Sequence, residues 1–227
     1  MTTQSFENGS DNKAAILKKL LHGVSHIRHS TIKIEGTKVI YFDPIGIEGE
    51  PKDADIILIS HSHGDHFSTE DIKKLAKDST VLVIPMDALD TAVQAGLINI
   101  VTVVPNKNYE VTGLEFCTVP AYNTNKAFHK KESNWVGFIV NINNTRYYFA
   151  GDTDIIPEMK DIKADVVFLP VGGTYTMTSA EAVQAANTIK PAVAVPIHFG
   201  DIVGTRDDAR TFVENIEKSI TGITLLE

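Results

Sequence analysis

Three imidazoles and a carboxylate stand within six consecutive residues, His61-Ser62-His63-Gly64-Asp65-His66, just after the apolar run Asp55-Ile56-Ile57-Leu58-Ile59. A strand end gains no stability from crowded imidazoles. Neutral imidazole is the commonest protein metal ligand, and aspartate suits borderline or hard divalent ions. The chain holds eight histidines in 227 residues, so three in six positions point to a metal-binding segment. Two more candidates end other apolar runs. Asp152 lies in Ala150-Gly151-Asp152-Thr153, where small residues allow close backbone approach, and His198 follows Ala192 to Ile197. Alone, Asp152 is equally a cap or turn residue and His198 a satisfied core histidine. Beside a His-rich loop both become candidate ligands.

The elements that must position these residues are legible as short apolar runs between turn signals. Ala14, Leu17, Leu20 and Leu21 have helical spacing. Strands are expected over 30–35 and 38–42 around a Gly36 turn, then over 56–60. Ser68 with Asp71 resembles a capping box that opens a helix through Lys77. A strand at 81–84 and a helix stopping at Gly96 come next, then strands at 100–104 and 114–119. A polar loop over 123–134 precedes a hairpin from Trp135 to Phe149 that turns at Asn143-Asn144. Strand 165–171, helix 179–189, strand 192–197, helix 207–220 and a last short strand finish the chain. Residues 1–11 read as a frayed tail and 12–227 as one domain.

The chain also repeats itself. Thr37-Lys38-Val39-Ile40-Tyr41-Phe42 returns as Thr145-Arg146-Tyr147-Tyr148-Phe149, and Ala54-Asp55-Ile56-Ile57-Leu58-Ile59 as Ala164-Asp165-Val166-Val167-Phe168-Leu169. Common α/β building blocks can look alike. The other reading is two related halves whose sheets pack face to face, with helices outside and polar strand ends converging on one edge.

Composition narrows the function. A 43% hydrophobic and 22% charged content is that of an ordinary globular protein. A net charge of −8 and no run of five or six Lys or Arg argue against nucleic acid or an anionic membrane as the main partner. No apolar stretch is long enough to span a bilayer, and the polar start MTTQSFENGSDNK lacks the pattern of a secretory signal. The lone Cys117 excludes an internal disulfide and a Cys-rich zinc site; within Leu114 to Val119 it reads as a buried structural thiol. A cytoplasmic protein with a small-molecule substrate is expected; nothing in the sequence sets its oligomeric state.

The series His61-x-His63-x-Asp65-His66, Gly151-Asp152 and His198 resembles the metal motifs of the metallo-β-lactamase-fold hydrolases, over nearly the whole chain from about Gly23. His29-Ser30-Thr31-Ile32, Phe42-Asp43-Pro44 and Leu169 to Met177 further resemble the stand-alone metal-dependent hydrolases, a branch that includes the ascorbate-6-phosphate lactonase-like proteins. The resemblance implies an α/β (α+β) fold, a four-layer αβ/βα sandwich of two pseudo-symmetric halves. It implies one or two divalent ions, zinc first, with manganese, iron or nickel compatible. His61 and His63 would hold the first, Asp65, His66 and His198 the second, and Asp152 would bridge them. The activity implied is hydrolysis of a small-molecule ester, lactone or phosphoester by activated water, with Asp65 orienting the nucleophile or accepting a proton.

One departure stands out. Many members of that fold have a third imidazole for the first ion, in a loop corresponding here to Val119-Pro120-Ala121-Tyr122-Asn123, which has no histidine. Either His129, the one histidine in the interval, folds back as a ligand, or it is a solvated loop residue and the first site is weak or empty. Tyr122 could position substrate or stabilise an oxyanion. His29 is expected beside the site as a donor that orients a ligand, or else as simple packing. Asp43 either holds a ligand imidazole or makes a turn. His26 reads as structural and His22 as surface. Gly172-Gly173 is too short for a phosphate loop. Phe128 and Trp135 flank the polar loop and could wall a cleft, although core packing is expected of Trp135. Alternatives to the hydrolase are a nuclease or phosphodiesterase acting on RNA or DNA, which the acidic balance disfavours, and a non-catalytic metal-binding module.

Overall fold

A computed structural model describes residues 14–226. The expected tail over 1–11 lies outside the described residues. Residues 14–20 form helix α1, and its leucines Leu17 and Leu20 pack on the core between the sheets.

Two sheets make the body. The first has six strands in chain order: β1 (Val24–Arg28), β2 (Thr31–Glu35), β3 (Val39–Phe42), β4 (Ala54–Leu58), β5 (Ala76–Pro85) and β6 (Ile100–Val103). The second runs β13-β12-β11-β10-β9-β8-β7, from β7 (Asn108–Val111) through β8 (Leu114–Pro120), β9 (Val136–Ile142), β10 (Thr145–Phe149), β11 (Val166–Pro170) and β12 (Val193–Ile197) to β13 (Thr221–Gly222). Each sheet changes from antiparallel to parallel pairing after the repeated segment. In the first, β3 pairs antiparallel with β2 and parallel with β4. In the second, β10 pairs antiparallel with β9 and parallel with β11. The internal repeat is therefore architectural.

Strand alternation builds the layers. Ile40, Phe42, Ile56 and Leu58 face Phe138, Phe149, Val166 and Phe168 across the inter-sheet core, with Phe42 stacked on Phe149 at 4.9 Å between centroids. The intervening Tyr41 and Ile57 face outward under α2 (Thr69–Leu75) and α3 (Leu89–Gln94). Val167 and Leu169 face outward under α4 (Ser179–Ile189) and α5 (Arg206–Asn215). Helix, sheet, sheet, helix: the four-layer sandwich is present.

Some boundaries differ from expectation. The α2 helix stops at Leu75 rather than Lys77, because the Ala76 N–H still bonds Ile72 while Ala76 itself pairs with Ala54. Thr80 fastens this early start of β5, accepting from Lys77 N–H and donating to the Ala54 carbonyl. The α5 helix ends at Asn215, five residues short of 220. Strands β1 and β7 lie at or beside sheet edges, and their sequences VSHIR and NYEV lack the apolar run of a central strand. The hairpin turn is as expected, with positive φ at Asn143 and Asn144. Cys117 is half-buried, and burial pushes its thiol up.

His26 is buried on β1, edge-on to Phe199, and donates from Nε2 to the His29 carbonyl at 2.7 Å. Burial lowers its pKa to about 4, against the help of that hydrogen bond. The unfolded chain takes up this proton below about pH 6.5, so His26 contributes stability above that pH that is lost as pH falls toward 4. In chelator-treated protein, acidification from pH 7 to pH 4.5 should cost the native chain roughly 2–3 kcal/mol more than His26→Gln, which keeps a donor but cannot titrate. Urea unfolding at the two pH values measures this. Equal acid losses would contradict it.

Candidate metal centre

The six residues singled out in the sequence follow the ends of strands on the same edge of the sandwich. His61 to His66 follow β4, Asp152 follows β10 and His198 follows β12. Two glycines allow the loops to meet. A Cβ on Gly151 (φ +63°) would stand 2.8 Å from Ser60 Cβ, so the aspartate loop of one half touches the histidine loop of the other only without a side chain there. A Cβ on Gly172 would stand 2.6 Å from the His198 carbonyl oxygen and 2.9 Å from its Nδ1. Gly172 thus makes room for His198, whose own backbone is left-handed (φ +60°) and tied by its N–H to the His29 carbonyl at 2.8 Å.

Asp152 is the hub. Its Oδ2 lies 3.0 Å from His198 Nε2, 3.3 Å from His129 Nε2 and 4.0 Å from His61 Nε2; its Oδ1 lies 3.3 Å from His66 Nε2. Asp65 Oδ2 lies 3.4 Å from His29 Nε2, 3.6 Å from His66 Nε2 and 3.8 Å from His198 Nε2. The ligand atoms fall into two groups, each within 4.8 Å: His61, His63 and His129, and His29, Asp65, His66 and His198. Asp43, His61 and His66 satisfy the same spacing, but both Asp43 oxygens are already occupied by hydrogen bonds.

These close approaches are not hydrogen bonds. Nε2 of His61, His66, His129 and His198, with Asp152 Oδ1, are buried without a hydrogen-bond partner. An orphaned buried polar atom costs about 1–3 kcal/mol, and five aimed at a common region would be a heavy burden unless a cation satisfies them. The donor set of imidazole nitrogen and carboxylate oxygen fits a first-row divalent ion.

The opposite ring nitrogens explain this aim. His66 Nδ1 donates to Asp43 Oδ2 at 2.7 Å. His61 Nδ1 donates to Ser60 Oγ at 2.9 Å, and that hydroxyl donates to Asp43 Oδ2 at 2.5 Å. His129 Nδ1 donates to Asn123 Oδ1 at 3.1 Å. Each bond occupies Nδ1 and leaves Nε2 facing inward, its lone pair available once no proton is held there. Burial, reinforced by the neighbouring His66, drives the His61 pKa well below the usual histidine range, so it is neutral. Burial opposes charge on His66, yet Asp152 and Asp43 on its two sides outweigh it and raise its pKa well above that range. Burial also opposes ionisation of Asp152 and Asp65. Facing imidazoles nevertheless hold Asp152 far below the usual carboxylate range, and His29 with His66 holds Asp65 at about 2. Two ionised carboxylates thus demand a positive partner.

The structure brings His61, His63, Asp65, His66, Asp152 and His198 together as expected. His129 folds back to join them. It is 1% exposed, its N–H bonds Asn123 Oδ1 at 2.9 Å, and the Asn123 N–H bonds its carbonyl at 2.7 Å. His29 Nε2 stands 3.4 Å from Asp65 Oδ2, buried without a hydrogen-bond partner, within the second group of possible ligand atoms. Asp43 accepts from His66 directly and holds His61 through Ser60. The Tyr122 hydroxyl is turned away: it bonds Glu158 Oε2 at 3.0 Å, accepts from Lys131 at 3.2 Å and packs in the outer core under α4. Trp135 walls the cluster, with its ring 4.7 Å from His63 and 5.0 Å from His61, and Nε1 donates to Asp87. Ser60, Asp87 and Asn123 carry no sequence signal of their own; only their hydrogen bonds reveal them.

Residues 24–198 match the beta-lactamase superfamily domain. A UPF0173 metal-dependent hydrolase of Pyrococcus abyssi is 33% identical over 193 residues, covering 78% of this chain and 84% of its own. The chain belongs to this metal-dependent hydrolase family, within the metallo-β-lactamase superfamily. Among solved structures, a Parabacteroides distasonis protein described as a metal-dependent hydrolase superposes with TM-score 0.75 at 28% identity, covering 90% of this chain and 93% of that one. The metallo hydrolase Igni18 of Ignicoccus hospitalis, 21% identical, shares the fold with TM-score 0.72 over 88% and 93%. Among the described residues no helix is long and apolar enough to cross a membrane.

Because Asp43 sets two of the imidazoles, Asp43→Asn should weaken zinc binding by about 10–100-fold. Competition with a chromophoric chelator reads this directly. Unchanged affinity would show that ring orientation is fixed by packing alone.

Proposed function

We propose that the protein is a cytoplasmic metal-dependent hydrolase of a small-molecule ester, lactone or phosphoester. It holds two divalent ions, with zinc the first choice. His61, His63 and His129 would serve one and Asp65, His66 and His198 the other, with Asp152 between them. The observation that carries this reading is the set of buried, unpartnered Nε2 atoms gathered around Asp152. Bound ions would supply Lewis acidity and bring deprotonation of water within reach of neutral pH.

The chain's own groups do the rest. A cleft of about 330 Å³ opens over the cluster, and His63, Asp65, His129 and Asp152 form its polar floor. Asp65 is the more accessible carboxylate, its side chain 27% exposed against 3% for Asp152. A carboxyl held at about 2 is a poor proton acceptor at neutral pH, so Asp65 serves to orient the attacking water by accepting its hydrogen bond. Asp152, walled in by imidazoles, fixes the positions of the two ligand groups. Trp135 excludes solvent from the back of His61 and His63. The segment resembling lactonase-like proteins keeps lactones among the candidate substrates, and a net charge of −8 disfavours nucleic acid.

Chelator-stripped protein reloaded with Zn²⁺ or Mn²⁺ should recover hydrolysis within a panel of carboxylic esters, lactones and phosphodiesters. His63→Ala, at an exposed ligand position, should lower that activity about 100-fold or more with an unchanged circular dichroism spectrum. Failure of every metal to restore any of these activities would overturn the proposal.

A further inference from the structure

The rim of the cleft is chemically unlike its floor. Phe128, Tyr175 and Ile202 complete the lining, each from a different loop, and they are 49%, 36% and 54% exposed. Scattered exposed apolar residues need no explanation, but three meeting at one opening above a polar cluster do. Phe128 and Tyr175 meet edge to face, with centroids 4.7 Å apart and planes at 88°. The rim is also fastened to the ligand loop: Asn123, whose Oδ1 holds His129, donates from Nδ2 to the Tyr175 carbonyl at 2.9 Å. The Tyr175 turn is closed by Gly173 N–H on the Met177 carbonyl and the Ile202 loop by Gly200 N–H on the Gly204 carbonyl.

Among the described residues no lysine or arginine lines this cleft. Two cations close to the rim loops are matched by carboxylates. Lys126 donates to the buried Asp154 at 2.6 Å, and Arg28 donates to Asp201 through two nitrogens at 2.5 and 3.0 Å. A phosphate or carboxylate on the non-reacting part of a substrate would find no counter-charge among these lining residues, and would lie near Asp65 and Asp152.

From this rim we infer that the substrate is a neutral ester or lactone whose non-reacting part is an apolar chain or ring, gripped by Phe128, Tyr175 and Ile202. Phosphorylated substrates are disfavoured relative to these. The inference rests on the proposed hydrolase reading and narrows it. Apolar contact at the rim supplies affinity and orientation, while the floor acts on the polar reacting group.

Three hydroxamates test this by calorimetry on zinc-loaded protein, without any need for turnover. Acetohydroxamate, benzohydroxamate and a hydroxamate ending in a phosphonate share one metal-binding head and differ only in what meets the rim. Benzohydroxamate should bind about tenfold more tightly than acetohydroxamate, the gain expected from covering one ring face. The phosphonate should bind no better than acetohydroxamate. In Phe128→Ala/Ile202→Ala the benzohydroxamate advantage should fall to about twofold with acetohydroxamate affinity unchanged, and Phe128→Lys should favour the phosphonate. A native preference for the phosphonate, or an aryl advantage that survives the double substitution, would overturn the inference and leave the hydrolase reading standing. Failure of all three to bind would remove the metal reading, and this inference with it.

Discussion

The structure depends on how a buried carboxylate is kept ionised. Asp152 sits 3% exposed at the junction of the two halves, where an unpaired charge would cost far more than any single contact returns. Four imidazoles stand within 4.0 Å of it. Burial and charge act in opposite directions here, and charge wins: Asp152 is pulled well below the carboxylate range while His66 is lifted well above the histidine range. A proton on His66 answers this demand when no ion is present. A divalent cation meets it better, because it also takes up the remaining nitrogen lone pairs.

This arrangement requires two sheets with matching ends. Strands β11 and β12, and β4 and β10 beyond their first two residues, are apolar on both faces, one against the other sheet and one under helices, so the site's polar side chains emerge where the strands stop. The duplicated switch from antiparallel to parallel pairing puts those ends on one edge. Gly151 and Gly172 then let loops from different strands touch. Behind the ligands, Asp43, Ser60 and Asn123 turn diffuse attraction into fixed lone-pair directions, and Trp135 with Asp87 closes one side. Precision comes from these supporting hydrogen bonds more than from the ligands themselves.

The readability of the chain follows the range of the forces involved. Central strands announced themselves as unbroken apolar runs, and α4 was legible to its ends because Thr178 and Glu181 form a complete capping box. Edge strands β1 and β7 hid because half-exposed backbone tolerates polar residues, and the end of α2 was decided by the distant pairing of Ala76 with Ala54. Six ligand candidates were legible from residue type and strand ends. His129 stayed open because its place depends on Asn123 folding a polar loop back on itself. Tyr122 sits nearest in sequence to the missing imidazole, yet its hydroxyl is claimed by Glu158 and Lys131 on the outer side of the sheet. Tyr122 lies beyond the end of β8 and joins the outer cluster out of step with the strand's alternation, so residue type and position alone did not carry its direction.

A crystal structure of zinc-loaded protein with anomalous scattering recorded at the metal edge would show whether Asp152 stands between two ions. Two ions should appear, one among His61, His63 and His129 and one among Asp65, His66 and His198, with Asp152 reaching both. A single ion without Asp152 among its ligands, or no ion beside Asp152 at saturating zinc, would contradict the account.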